Sequence, residues 1–136
     1  MKVSNNMQAL VRDWLISGKE QLRLFEGDDE IMLNRQGDAL VLSVQLTLTR
    51  PDTATLQRWM RLGAASLNHF HGALAQKADS GELWLIQKLP GGQGEAYVLG
   101  YLEALLNQRD TWRATVARLA RHPQNLKPTS LRSLSY

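Results

Sequence analysis

Residues 67–90, LNHFHGALAQKADSGELWLIQKLP, limit the folds open to this chain more than any other stretch. They read as the end of a helix, a strand at 73–77, a tight Ala78-Asp79-Ser80-Gly81 turn and a second strand at 82–89. Side chains alternate across a strand, so Leu83 and Leu85 point one way and Trp84 and Ile86 the other. Both sides are apolar. Such a strand needs two covers, because each large apolar side chain left in water forfeits roughly 1.5–3 kcal/mol. At 136 residues the chain has length for one domain and one core. Its helices are needed on one face of a sheet. The second cover, over Trp84 and Ile86, is therefore expected from another polypeptide.

The rest of the chain supplies that sheet and its helices. Met7, Leu10, Val11, Trp14 and Leu15 follow the spacing of an amphipathic helix, with Ser4, Asn5 or Asn6 to cap it and Gly18 to end it. The period then changes to two. Leu22 and Leu24, with Phe25 at the end, mark a first strand, and Gly27-Asp28-Asp29 a turn. Ile31 and Leu33 mark a second strand, closed by an Arg35-Gln36-Gly37-Asp38 hairpin loop. In the third, Leu40, Leu42, Val44, Leu46 and Leu48 alternate with Ser43, Gln45, Thr47 and Thr49, giving one dry and one wetter face. Pro51 and Asp52 open a second helix, with Asp52 or Thr53 as its cap and Leu56, Trp59, Met60, Gly63 and Leu67 along one side. Pro90-Gly91-Gly92-Gln93-Gly94 breaks any regular element. A long helix follows from about Glu95, with Val98, Leu102, Leu105, Trp112, Val116 and Leu119 on its apolar stripe and Arg109 as the one charge there. The expected fold is α+β in the order α-β-β-β-α-β-β-α, an antiparallel sheet with helices on one face. Residues 1–121 form a single domain and 122–136 a flexible basic tail.

Composition narrows the function classes. No run of about 18 apolar residues exists to span a membrane, and the first residues lack the apolar core of a secretory signal. The absence of cysteine excludes disulfides and thiolate metal sites and suits a reducing cytoplasm. The net charge of +3 is unevenly placed: residues 1–108 hold 10 Lys/Arg against 12 Asp/Glu, residues 109–136 six against Asp110 alone. That placement argues against a basic nucleic-acid-binding face spread over the fold. The basic end still leaves room for a small nucleic-acid-binding or regulatory protein as the alternative function.

Chemistry is thinly represented. His69-x-His71 has usable ligand spacing on extended chain but no third ligand. Asp28-Asp29-Glu30 lacks the staggered oxygens of a calcium loop and reads as a solvated turn. Gly91-Gly92-Gln93-Gly94 has no following Lys-Ser/Thr, so a linker fits better than a phosphate cradle. No nucleophile motif is present, and no enzyme activity and no cofactor are expected. Trp14, Trp59 and Trp112 lie on helical apolar stripes and read as core.

The element order, together with Leu67-Asn68-His69-Phe70-His71-Gly72-Ala73-Leu74-Ala75, Asp79-Ser80-Gly81-Glu82-Leu83-Trp84-Leu85, Lys88-Leu89-Pro90 and the Leu99, Leu102, Leu105, Leu106, Trp112 helix, resembles the class I type III secretion chaperones. The resemblance spans residues 7–120. It implies a cytoplasmic homodimer that holds the N-terminal segment of a secreted effector in extended, export-competent form. The implied dimer interface is Trp59, Leu62, Leu67, Trp84 and Ile86. The implied cargo surface is Leu10, Val11 and Trp14 of the first helix with Leu22, Leu24, Ile31 and Leu33 of the early strands, where a cargo strand can also add to the sheet edge. Leu10 and Trp14 fit a core role equally well. Members of the family are usually acidic, whereas this sequence has a pI near 9.5. The basic end is either inert or a place for an acidic partner, such as a cargo, a regulator or the secretion ATPase.

Overall fold

The computed structural model describes residues 3–65 and 70–121. In chain order it contains α1 (Asn5–Ser17), β1 (Gln21–Glu26), β2 (Asp29–Gln36), β3 (Ala39–Gln45), α2 (Thr53–Ala65), β4 (Ala73–Gln76), β5 (Leu83–Pro90) and α3 (Glu95–Arg121). This is the order expected from the sequence. The expectations for Leu67, His69 and residues 122–136 lie outside the described residues.

Local chemistry sets the helix ends. The Ser4 hydroxyl accepts from Met7 N at 3.2 Å, and Gly18, at φ 74°, closes α1 in the left-handed conformation that glycine adopts without a Cβ penalty. The Asp52 carboxylate accepts from Thr55 N at 2.7 Å and caps α2, which holds its carboxyl below the ordinary value of 3.8.

The five strands form one antiparallel sheet in the order β1-β2-β3-β5-β4. Two-residue Gly-Asp loops, Gly27-Asp28 and Gly37-Asp38, join β1 to β2 and β2 to β3. The register aligns Leu24, Ile31, Val44, Leu85 and Leu74 across one face, and Leu22, Leu33 and Leu42 beside them. That face carries the helices: α1 packs on β1, α3 on β3 and β5, and α2 on β4, with α3 touching both other helices. Val11, Ile31, Leu33, Leu42, Val44, Leu85, Leu102 and Leu106 are fully buried between the layers.

The third strand is shorter than its alternation suggests. Leu46 N and Thr47 N both donate to Leu83 O, at 2.8 and 3.2 Å, the two-against-one pairing of a bulge. The Thr47 hydroxyl then accepts from Leu83 N and donates to Thr49 O. Leu46 still reaches the core, but Leu48 leaves the sheet and stands 57% exposed.

Candidate functional site

Among the described residues, no helix packs on the sheet's other face. Arg23, Phe25, Met32, Val41, Ser43, Ile86 and Lys88 lie there by register, and an Arg23–Glu30 ion pair of 2.7 Å crosses two strands. Met32, Ser43, Ala75, Trp84 and Ile86 line a shallow, mainly apolar depression of about 210 Å³. Trp84 overturns one expectation: at 7% exposure it is already buried within a single chain. Its cross-strand neighbours are Gln45 and Ala75, and the side chain of Gln45 is itself tied down by bonds to Glu30 N and Thr47 O. The neighbouring strands thus cover the indole without a second chain. Ile86 remains half-exposed.

The other residues assigned to the dimer interface also divide. Trp59 is a core residue at 4% exposure and has no face left to offer, because α2 turns it inward onto the hydrophobic cluster. Leu62 is partly buried against the same cluster. Met60, which the sequence aligned with Trp59, instead points outward at 57% exposure. With Leu56, Gly63, Ala64 and Leu74 it lines two adjoining hollows between α2 and the outer strand β4.

The residues assigned to cargo binding divide in the same way. Val11, Trp14, Leu24, Ile31 and Leu33 belong to the interior. The α1 stripe of Val11 and Trp14 faces the sheet, and Leu24, Ile31 and Leu33 of the strands face the helices, rather than a partner. Leu10 and Leu22 remain accessible, and with Asp13, Ser17, Lys19, Gln21, Arg23 and one edge of Trp14 they line a groove of about 300 Å³ between α1 and β1. β1 is an edge of the sheet, so its outer side is open to another strand. Phe25, on the same strand, stands 61% exposed. The period of two already placed it opposite Leu22 and Leu24, a signal of exposure available in the sequence.

Arginines tie this edge to the helices. Arg35 of β2 donates from Nε to Lys19 O at 2.9 Å and from Nη2 to Trp14 O and Leu15 O at 3.2 Å each. Its guanidinium lies 4.4 Å from the Trp14 ring centroid, a cation–π contact. At the other end of the hairpin, Arg109 of α3, 2% exposed, pairs with Glu26 at 2.6 Å and with Asp110 at 3.0 Å. Arg113 binds both oxygens of Asp29, at 2.8 and 2.9 Å, and donates to Leu46 O and Gln45 O where β3 ends. The bond from Arg113 holds the Asp29 carboxyl below its ordinary 3.8, against the opposing effect of burial. Asp29 is thus an anchored first residue of β2, not part of a solvated turn. Two of the cations counted in the basic end are spent inside the fold.

Among the described residues, no group of three or more His, Cys, Asp or Glu side chains could hold a metal ion, and no helix is long and apolar enough to cross a membrane. His71 packs edge-on to Tyr101, their centroids 6.2 Å apart.

No protein-family model matches the sequence, and no curated protein is a significant sequence match. Solved structures are similar in fold. One is a chain of the ExsC–ExsE complex, at TM-score 0.60 and 11% identity, covering 85% of this chain and 97% of that one. A second is from the HopA1–SchA chaperone–effector complex, at TM-score 0.60 and 15% identity over 79% of this chain and 92% of that one. A third is from the heterodimeric ExoU–SpcU complex of the type III secretion system of Pseudomonas aeruginosa, at TM-score 0.52 and 19% identity over 78% and 93% of the two chains. The chain has the α+β fold of the class I type III secretion chaperones.

Proposed function

We propose that this chain is a secretion chaperone that holds the N-terminal segment of an effector protein extended along the α1–β1 edge. The observation that carries the reading is the open edge of β1 beside a groove floored by Leu10, Trp14 and Leu22. A fold shared with a chaperone–effector complex supports it. Backbone bonding to β1 supplies affinity without regard to sequence, and the groove selects apolar side chains at alternate positions of the guest. Such binding requires no group chemistry. A second copy of the chain would join through the α2–β4 side, where Met60, Leu62 and Leu74 present apolar surface, with Ile86 beside it on the open face.

The nucleic-acid alternative loses ground because Arg109 and Arg113 are neutralised internally by Glu26, Asp29 and Asp110. Co-purification from the native host, with mass spectrometry of the retained proteins, tests the reading. The wild-type chain is expected to retain a secreted protein through its N-terminal region, and Leu22→Asp is expected to lose it while remaining folded. Retention of the same protein by Leu22→Asp, or retention of nucleic acid alone, overturns the proposal.

A further inference from the structure

The groove has walls from two elements that are not hydrogen-bonded to each other as a sheet. One wall is α1, the other the edge strand β1, and the ladder holds β1 on one side only, through β2. What fixes the distance between the walls is then a question separate from what lines them. Apolar contact supplies part of the answer, since Leu24 reaches the core and Leu22 is half-buried. Apolar contact is non-directional, however, and does not by itself define a spacing. Among the described residues, the directional side-chain contacts that join the β1–β2 hairpin to helices come from three arginines, one at its open end and two at its turn.

At the open end, Arg35 joins β2 to the last turn of α1. The Trp14, Leu15 and Lys19 carbonyls it binds lie at a helix end and its exit, where main-chain acceptors run out of helical N–H donors, and Trp14 O also accepts from the Ser17 hydroxyl at 2.8 Å. A cation there also opposes the negative end of the helix dipole. The same guanidinium lies on the ring of Trp14, a residue of the groove. At the turn end, Arg109 and Arg113 reach from α3 to Glu26, the last residue of β1, and Asp29, the first of β2. Arg113 is anchored in turn by Leu46 O and Gln45 O, so the turn is referenced to the end of β3 as well as to α3. Both ends of the hairpin are therefore fixed to helices by planar, multiply bonded groups.

Resting on the proposed function, we propose that Arg35, Arg109 and Arg113 are positioning residues of the guest site: they set the width of the α1–β1 groove and hold the β1 edge ready for an incoming strand. Pre-set geometry of this kind raises affinity by removing the ordering cost from the binding step. Lysine cannot replace Arg35 in this role, because an ammonium lacks the planar fork that reaches three carbonyls while stacking on a ring.

The absence of cysteine makes the test direct. Spin labels on the double variant Ile16→Cys, Phe25→Cys, two exposed positions outside the groove lining and the arginine contacts, report the spacing of α1 and β1. In the otherwise unaltered chain one narrow distance distribution is expected. Adding Arg35→Gln, Arg35→Lys or Arg113→Gln should broaden or split it. Glu26→Gln with Asp29→Asn, nearly isosteric, should do so from the opposite side of the contact and guards against an arginine variant that fails to fold. The guest probe is the fragment of the co-purified protein that the chain protects from proteolysis. Its affinity should fall about tenfold or more in each variant, the scale of a lost preorganising contact.

An unchanged narrow distribution in all variants overturns the proposal, as does a broadened one with unchanged affinity. A purely structural role would lower the melting temperature while leaving both readouts as in the wild type below it, which also overturns the proposal. Failure of the underlying functional reading shows elsewhere, as a wild-type chain that retains no guest or a Leu22→Asp variant that retains it fully. The first removes this inference too. The second overturns the groove as the guest site, and with it the assigned role of the arginines.

Discussion

The sheet has two open edges, and they are built from different materials. The β1 edge is six residues long and bounded by a groove of mixed lining, and charged side chains fasten it to α1 and α3. The β4 edge is four residues long and bordered by apolar surface from Met60 of α2 and Leu74 of β4. Its tether is an uncharged one: the Gln108 side-chain amide donates to Gly72 O at 3.0 Å and accepts from Gly72 N at 2.9 Å, copying a ladder step just before the strand. A long edge with polar fastening suits a strand that arrives and leaves, because its backbone groups stay hydrated when it is empty. A short apolar edge suits a contact that stays closed. Under the proposed function, guest and second copy would use these opposite ends of the sheet.

The largest effect is expected at the charged tether. Arg109→Met strands Glu26 and weakens the hold on Asp29 from a side chain only 3% exposed, and breaking a buried pair in this way costs about 3 kcal/mol. Denaturant unfolding measures the loss, and amide exchange should show the first opening in β1 and β2 while β4 stays protected. Gln108→Ala should reverse that pattern. It leaves both Gly72 backbone groups without their partner, costs about 2 kcal/mol and speeds exchange at β4 while β1 remains as in the wild type. Equal opening of both edges in either variant would break the comparison.

The smallest effect at neutral pH concerns Asp29. Its folded pKa lies below the ordinary 3.8, so the stability from its pair with Arg113 is complete above that value and is lost as pH falls through the lower folded one. Acidification from neutrality to about pH 5 should leave the β1–β2 hairpin anchored, since that range lies above both values. Below 3.8 the wild-type hairpin should loosen, whereas Asp29→Asn should show no such step. Exchange or spin-label distance against pH checks it, and a transition between pH 5 and 7 in the wild type would contradict the assignment.

Much of the fold was legible because period and punctuation act locally. The alternation of Leu40, Leu42 and Val44, the Gly-Asp turns and the Ser4 and Asp52 caps each need only neighbours within a few residues. The site was less legible because it depends on which side of a stripe survives packing. Leu10 and Val11 are adjacent in sequence, yet one is 40% exposed and the other fully buried. Arg109 stood out as a charge on an apolar stripe, but its partner Glu26 lies 83 residues away and no local pattern joins them. Trp84 was misjudged for a related reason: alternation gives its side of the sheet, while its cover comes from strands β3 and β4.

The strand order β1-β2-β3-β5-β4 also has a kinetic meaning. The β1-β2-β3 meander closes through two-residue turns and can form within microseconds. β5 must return across α2 and β4 to reach β3, pairing Leu40 with Leu89, and long loop closures of this kind slow folding. β4 has nothing to pair with until β5 is seated. During synthesis the β1 edge therefore exists before the β4 edge does. A nascent chain can thus present the β1 edge while its apolar α2–β4 side is still unformed.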